Sequence, residues 1–320
     1  MPKLTALKVC FVGIGSIATR HIKNLYEVCS NGGIKLTVDA LRRTVSKPLE
    51  NNLPINKIYL RSCELPADYD VIFLTNPTDM HMNALKEIHD KSKHFFIEKP
   101  IASLKTLKIA NRFPYRNGSV YYVACPMRYI GIMQYLKKCV DLTSVIAVRS
   151  ICSSYLPDWR PGTDYRECYS AHKDMGGGVS IDLIHEWDYL SYFFGIPQKI
   201  HANIGRKSKL EIDSDDYAVY VAEYSDKIIE LHLDYFGRTA IREIMLIMQE
   251  DTIIGDFIRN TILYKRSGKR VELKETRDDH CKRELEHFLN MLEGKTENDN
   301  PPSWACRIMS LCQGKLPKEF

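Results

Sequence analysis

The chain has 320 residues, 44% apolar and 27% charged, with a formal net charge of +5. That length accommodates two domains with sizeable cores, and the balance is that of a globular rather than a disordered protein. Basic runs such as Lys207-Ser208-Lys209 are short and sit among acids, which argues against nucleic-acid binding, and neither a membrane-spanning stretch nor a signal-peptide pattern is expected.

Leu7 to Val12 is an apolar run of the length of a buried strand, too short for a helix. It opens into Gly13-Ile14-Gly15-Ser16-Ile17-Ala18, after which Ala18, Ile22, Leu25 and Cys29 recur at helical spacing. Strand, glycine turn and helix in that order predict a dinucleotide site. Gly13 and Gly15 let the backbone turn tightly and approach a pyrophosphate, whose charge meets the helix N-terminus at Ser16 and Ile17.

Strand-like runs follow at residues 34–41, 57–60, 71–75, 95–97 and 120–124, with helical patterns over 79–91 and 103–112. This alternation predicts a doubly wound parallel sheet covered on both faces, whose ligands gather at the carboxyl ends of the strands. Thr75-Asn76-Pro77, with His81 after it, and Glu98-Lys99-Pro100 both fall at such ends. At the second strand an acid favours a free ribose 2′-hydroxyl and an arginine a 2′-phosphate. Here Leu41 is the terminal position, Asp39 comes early, and Arg42 and Arg43 follow. The reading therefore leans to NADP over NAD, although a solvated basic turn accounts for the two arginines equally well.

Beyond residue 140 the pattern changes to strands with short connections at 143–154, 199–205, 216–224, 227–236, 240–248 and 261–273. The expected fold class is an α/β Rossmann domain over 1–125, followed by an α+β domain over 126–320 with an open, mostly antiparallel sheet. A helix over 278–292 and a final one over 303–313 belong to the second domain in this reading. Gly176-Gly177-Gly178 breaks structure ahead of one helix, whose face carries Asp182, His185 and Asp188, a spacing at which a carboxylate orients an imidazole. The ten cysteines contain no Cys-x-x-Cys pair and several lie in apolar runs, so free thiols in the cytoplasm are expected, and no spacing of His and Cys predicts a metal site.

Taken together, Gly13-Ile14-Gly15, Arg20-His21, Thr75-Asn76-Pro77 with His81, Glu98-Lys99-Pro100 and the glycine-rich segment ending in His185 resemble the Gfo/Idh/MocA oxidoreductase family, named after glucose–fructose oxidoreductase and inositol dehydrogenase. The resemblance extends over roughly the first 195 residues. It implies hydride transfer between a nicotinamide and a sugar or polyol carbon, with Lys99 a catalytic lysine and Asp182 and His185 completing the site. It also implies a second domain that often forms oligomer contacts, hence a homodimer or homotetramer. Many members place the acid four residues before the histidine, and here Asp182 precedes His185 by three. The segment from Ser154 to Arg166 resembles a branch found in surface-polysaccharide gene clusters. Together with Arg128, its Trp159, Arg160 and Tyr165 are candidate contacts to a sugar or nucleotide-sugar substrate, the alternative being a loop that ties the domains together.

In that reading Lys99 polarises the reacting oxygen, His185 carries the proton, Asp182 orients it or the substrate, and Glu98 positions Lys99 or contacts the cofactor. Competing readings are a lyase or hydrolase that recycles a tightly bound nicotinamide and a non-catalytic dinucleotide sensor.

Overall fold

The computed structural model describes residues 3–42 and 52–317, which divide into two compact units. The first comprises residues 1–126 and 278–306, and the second residues 127–277 and 307–320.

In the first unit the chain runs β1 (Ala6–Val12), α1 (Ser16–Gly32), β2 (Lys35–Leu41), β3 (Lys57–Tyr59), β4 (Tyr69–Leu74), α2 (His81–Ile88), β5 (Ser92–Ile97), α3 (Leu107–Arg112) and β6 (Tyr121–Val123). The strands pair in the order β3-β2-β1-β4-β5-β6, and every pairing is parallel. Val9, Cys10, Phe11, Val71, Ile72, Phe73, Phe95 and Phe96 are fully buried, as strands covered on both faces must be. The order reverses at β1, so the turns after β1 and β4 are neighbours and the turn after β5 comes next to them, the usual place for a ligand in such a sheet.

In the second unit α4 (Gly131–Cys139) and β7 (Val145–Tyr155) precede α5 (Val179–Asp182), α6 (Ile184–Phe194), β8 (Lys199–Gly205), β9 (Tyr217–Glu223), β10 (Ile228–Asp234), β11 (Phe236–Met248), β12 (Thr252–Asp256), β13 (Thr261–Tyr264) and β14 (Arg270–Glu272). Their order is β14-β13-β12-β11-β7-β10-β9-β8, antiparallel throughout except for the parallel β7–β10 pair. Ala218, Tyr220 and Ala222 of β9, with Ile229, Leu231 and Leu233 of β10, alternate inward. Tyr220 meets the buried Trp187 of α6 edge-on, with ring centroids 5.3 Å apart. Two strands depart from the sequence reading. The run 261–273 is broken in two by a turn at Gly268, and β12 is short, with a glycine in it, and escapes a periodicity argument.

The last helices are α7 (Asp279–Leu292) and α8 (Pro302–Cys312). The expectation that residues 126–320 form one domain is corrected here, because α7 belongs to the first unit. Phe288 packs edge-on against Phe73 and Phe96 at 6.1 and 5.2 Å. Glu284 accepts the Cys125 amide at 2.5 Å, and the side-chain amides of Asn298 and Asn300 donate to carbonyls of β6. The amphipathic pattern of α7 announces a buried face but not the partner that buries it.

Candidate active site

The glycine turn is built by close approach. Gly13 has φ +84°, and a Cβ there would lie 2.9 Å from the Asn76 Cα. The Thr75 hydroxyl donates to the carbonyls of Gly13 (2.7 Å) and Val12 (3.1 Å), fixing the turn from the next strand. Gly15 caps α1, whose first turn contains no acidic residue, and a Cβ on Gly15 would meet nothing within 4 Å. A 17-residue helix therefore presents its N-terminal amides and the positive end of its dipole beside open space, with exposed Ser16 and half-buried Ile17 at its start. Next to it, Asn76 Oδ1 is buried without a hydrogen-bond partner among the described residues. This cradle fits a dinucleotide pyrophosphate. Pro77 follows, exposed.

Asp39 is 2% exposed and accepts from Tyr69 (2.8 Å) and Asn56 (3.0 Å), so it is committed inside the unit. Leu41 ends β2 and Arg42 follows directly, while Arg43 lies outside the described residues.

Glu98, Lys99 and Pro100 leave the end of β5, with the Lys99–Pro100 peptide cis. Glu98 is buried, and its Oε1 lies 2.5 Å from His21 Nε2 of α1. Burial pushes the Glu98 carboxyl up, but the His21 hydrogen bond and charge, then Lys99 and His81, outweigh it and hold the group below the ordinary glutamate value. His81, 1% exposed, turns Nε2 to the Asn76 carbonyl (2.9 Å) and Nδ1 to those of Pro100 (3.1 Å) and Ile101 (3.3 Å). Burial pushes its pKa down. His81 thereby joins the turn after β4 to the turn after β5, where half-buried Lys99 sits.

In the second unit two of the three glycines have a steric reason. A Cβ on Gly177 would fall 2.1 Å from the Tyr169 carbonyl oxygen, and one on Gly178 (φ +125°) 2.2 Å from Asp215 Oδ1. The Asp215 carboxylate accepts the Ser180 amide at 2.8 Å, anchoring α5. Burial, the main cause, raises the pKa of Asp215.

The single helix expected across Asp182, His185 and Asp188 is corrected to two. Asp182 closes α5, Leu183 interrupts, and His185 is the second residue of α6. Asp182 Oδ2 accepts from Tyr235 at 2.5 Å, and after burial the Asp182 charge is the main cause that raises the pKa of Tyr169. Trp159 meets the Tyr235 ring edge-on at 5.2 Å, and the Arg160 guanidinium lies 5.6 Å from the Tyr169 ring. Trp159 and Asp182 are thus linked through Tyr235, a residue that the sequence reading did not single out. Tyr235 sits where an apolar alternation ends, and nothing in its spacing separates it from a core residue.

The other sequence candidates lie elsewhere in the unit. Tyr165 accepts the Glu211 amide at 3.2 Å. Arg128, 1% exposed, holds Asp188 through two contacts of 2.9 and 2.7 Å and lies 4.6 Å from the Tyr192 ring. Asp188 therefore pairs with Arg128 instead of adding an acid beside His185. Neighbouring Glu186, fully buried, is paired with Arg242. His172, Asp174 and Asp213 bring donor atoms within 4.8 Å of one another, with both aspartates exposed.

Residues 7–123 match the family model of the oxidoreductase family with an NAD-binding Rossmann fold, GFO_IDH_MocA, and residues 133–243 match that of the GFO/IDH/MocA C-terminal domain. The uncharacterized oxidoreductase YrbE of Bacillus subtilis (strain 168) is 24% identical over 188 residues, 58% of this chain and 52% of that protein. The match thus spans about half the length of that curated relative. Among solved structures, the UDP-N-acetylglucosamine 3-dehydrogenase GnnA of Acidithiobacillus ferrooxidans superposes with a TM-score of 0.77 at 16% identity, covering 97% of this chain and 96% of that one. The WlbA dehydrogenase of Bordetella pertussis, in complex with NADH and UDP-GlcNAcA, gives 0.78 at 15% identity, covering 98% and 99%. Likeness at these identities speaks to the fold. With both halves matched by models of one family and the glycine turn, the Glu98-Lys99-Pro100 turn and the Asp182–His185 segment laid out as above, the chain belongs to the Gfo/Idh/MocA oxidoreductase family, whose first domain is an NAD-binding Rossmann fold.

Proposed function

We propose that this oxidoreductase transfers a hydride between a nicotinamide dinucleotide and a hydroxyl or keto carbon of a sugar or nucleotide sugar. The observation that carries the reading lies within one sheet edge. The open glycine turn, the Thr75-Asn76 turn and Glu98-Lys99 occupy the carboxyl ends of three adjacent strands, β1, β4 and β5. A Rossmann turn alone serves binding, whereas a half-buried lysine at the same edge serves chemistry.

A bound nicotinamide supplies a carbon that takes or gives a hydride with its electron pair. This chain's residues handle the proton. The Lys99 ammonium polarises the substrate oxygen, and the His185 imidazole takes the hydroxyl proton as the carbon is oxidised, returning it in the reverse direction. Asp182 orients the site, and Glu98 holds the Lys99 turn. Trp159 and Arg160 contact the sugar and any anionic group on it, with Tyr165 at the rim of the same segment. We assign Arg128 to the fold, on the strength of its buried pairing with Asp188.

Arg42 at the end of β2 and the internal commitment of Asp39 favour NADP over NAD. The dehydrogenase neighbours with UDP-sugar substrates support a nucleotide sugar and, with the Ser154–Arg166 segment, a role in polysaccharide synthesis. Free thiols at all ten cysteines suit a cytoplasmic enzyme, and assembly into a dimer or tetramer completes the reading. Among the described residues no helix is long and apolar enough to cross a membrane.

The test is a panel of UDP-sugars with NAD(P)+ and NAD(P)H, followed by absorbance of the reduced nicotinamide. Lys99→Ala and His185→Ala should each lower turnover about a hundredfold to ten-thousandfold while dinucleotide binding persists. Retention of nearly full turnover in both variants overturns the assignment. Product formation without net change in nicotinamide absorbance would replace the dehydrogenase with a lyase or hydrolase that recycles its cofactor.

A further inference from the structure

Asp182 is 7% exposed and accepts from the Tyr235 phenol at 2.5 Å. Tyr235 has no exposed surface. Its backbone is pinned on both sides, its amide donating to the Asp216 carbonyl (2.9 Å) and its carbonyl accepting from Leu156 (2.9 Å). The Trp159 ring stands at 90° to the Tyr235 ring. The Tyr235 hydroxyl is therefore shut away from solvent, with the Asp182 carboxylate as its acceptor. Burial, and then the Asp182 charge, raise the pKa of Tyr235 well above that of ordinary tyrosine, and the same two causes raise that of Tyr169. The Tyr235 phenol therefore remains a donor over the whole working pH range.

We infer that Tyr235 is a positioning residue of the reaction centre, which acts through Asp182 by holding that carboxylate as a fixed acceptor and out of the proton transfer carried by His185. The inference rests on the dehydrogenase reading above. A buried carboxylate three residues before the catalytic imidazole would otherwise compete for the same proton or seize the substrate hydroxyl in an unproductive pose. The Tyr235 phenol occupies one of its oxygens, and the departure from the four-residue acid–histidine spacing is met by holding the acid from the side, through Tyr235, rather than along one helix. The edge-on packing on Trp159 extends this brace to the proposed sugar contact, so one ring fixes both the acid and the aromatic beside it.

The experiment is a double-mutant cycle on the full-length protein with bound dinucleotide, pairing Tyr235→Phe with Asp182→Asn. The phenylalanine keeps the ring and removes only the hydroxyl. In the wild-type background Tyr235→Phe should lower kcat by between about tenfold and a hundredfold, the range for misplacing a reacting group, with KM changed less than about twofold. It should also move the acid limb of the pH–rate profile to higher pH, because the carboxylate, less neutralised, favours the protonated imidazole. In the Asp182→Asn background the same substitution should have no further effect on kcat or on the limb. An unchanged kcat and profile in Tyr235→Phe, or an effect that persists undiminished beside Asp182→Asn, overturns the inference. The same cycle read in urea midpoints needs no turnover. Coupling there with no turnover of any substrate by the wild type leaves the tyrosine–carboxylate link standing but overturns both the positioning role and the dehydrogenase reading. Absence of coupling in the urea midpoints overturns the link itself.

Discussion

His21 Nε2 lies 2.5 Å from Glu98 Oε1, a contact between two buried side chains that ties helix α1 to the turn carrying Lys99. The helix that opens at the glycine turn and the strand that leads to Lys99 are thus held together by a buried hydrogen bond. The carboxyl is depressed below its ordinary value of 4.5, so its share of stability is complete above that value and is lost as pH falls through the folded-state pKa. Urea unfolding followed from pH 7 to pH 3 should show stability declining below about pH 4.5. Glu98→Gln should flatten that decline and cost about 1–3 kcal/mol at neutral pH. A wild-type curve that runs parallel to that of the variant across this window would exclude the His21–Glu98 contact as the cause.

The two glycines of the turn separate folding from binding. Gly13→Ala places a methyl group 2.9 Å from the Asn76 Cα at positive φ, so it should destabilise the first unit by at least about 1–2 kcal/mol and lose the dinucleotide. Gly15→Ala meets nothing, so it should melt close to the wild type and yet bind reduced nicotinamide dinucleotide several-fold more weakly. Thermal melts and fluorescence titrations, run side by side, check both. Equal binding by Gly15→Ala and the wild type would place the pyrophosphate elsewhere.

The proposed preference for NADP rests on Arg42. Removing its guanidinium in Arg42→Ala should weaken NADPH about tenfold, as the loss of a charge-assisted contact does, and leave NADH unchanged. Isothermal titration of both cofactors reads this directly, and equal losses for the two would withdraw the preference for the 2′-phosphate.

Arg128 discriminates between a substrate contact and a structural pair. With Asp188 left buried and unpaired, Arg128→Ala should cost about 3–5 kcal/mol, and Arg128→Asn with Asp188→Asn should restore part of it. At a temperature where the variants remain folded, KM for the sugar should match that of the wild type. A raised KM without loss of stability would return Arg128 to the substrate.

The first half was legible because its signals are local. The run of Val9 to Val12, the positive-φ glycine after it and the periodicity of Ala18, Ile22 and Leu25 each depend on neighbours in the chain, and β1, α1 and the β4 and β5 turns stand where those signals put them. The pairings His21–Glu98, Asp182–Tyr235 and Arg128–Asp188 join residues 77, 53 and 60 positions apart, and no spacing rule reaches that far. Asp188 illustrates the cost. Helical arithmetic set it beside Asp182 and His185, but the break at Leu183 and the buried Arg128 take it into the interior. In the same way the hydrophobic face of α7 was read correctly and its owner was not.

Because Phe288, Glu284, Asn298 and Asn300 complete the first unit, that unit cannot finish folding when its own first 126 residues have been synthesised. At about 5–20 residues per second, the remaining stretch up to residue 306 takes on the order of ten seconds or more to emerge. Through that interval the aromatic layer of Phe73 and Phe96 lacks its cover. The nascent chain therefore presents a sticky surface until that stretch emerges, and a fragment ending near residue 126 keeps it uncovered.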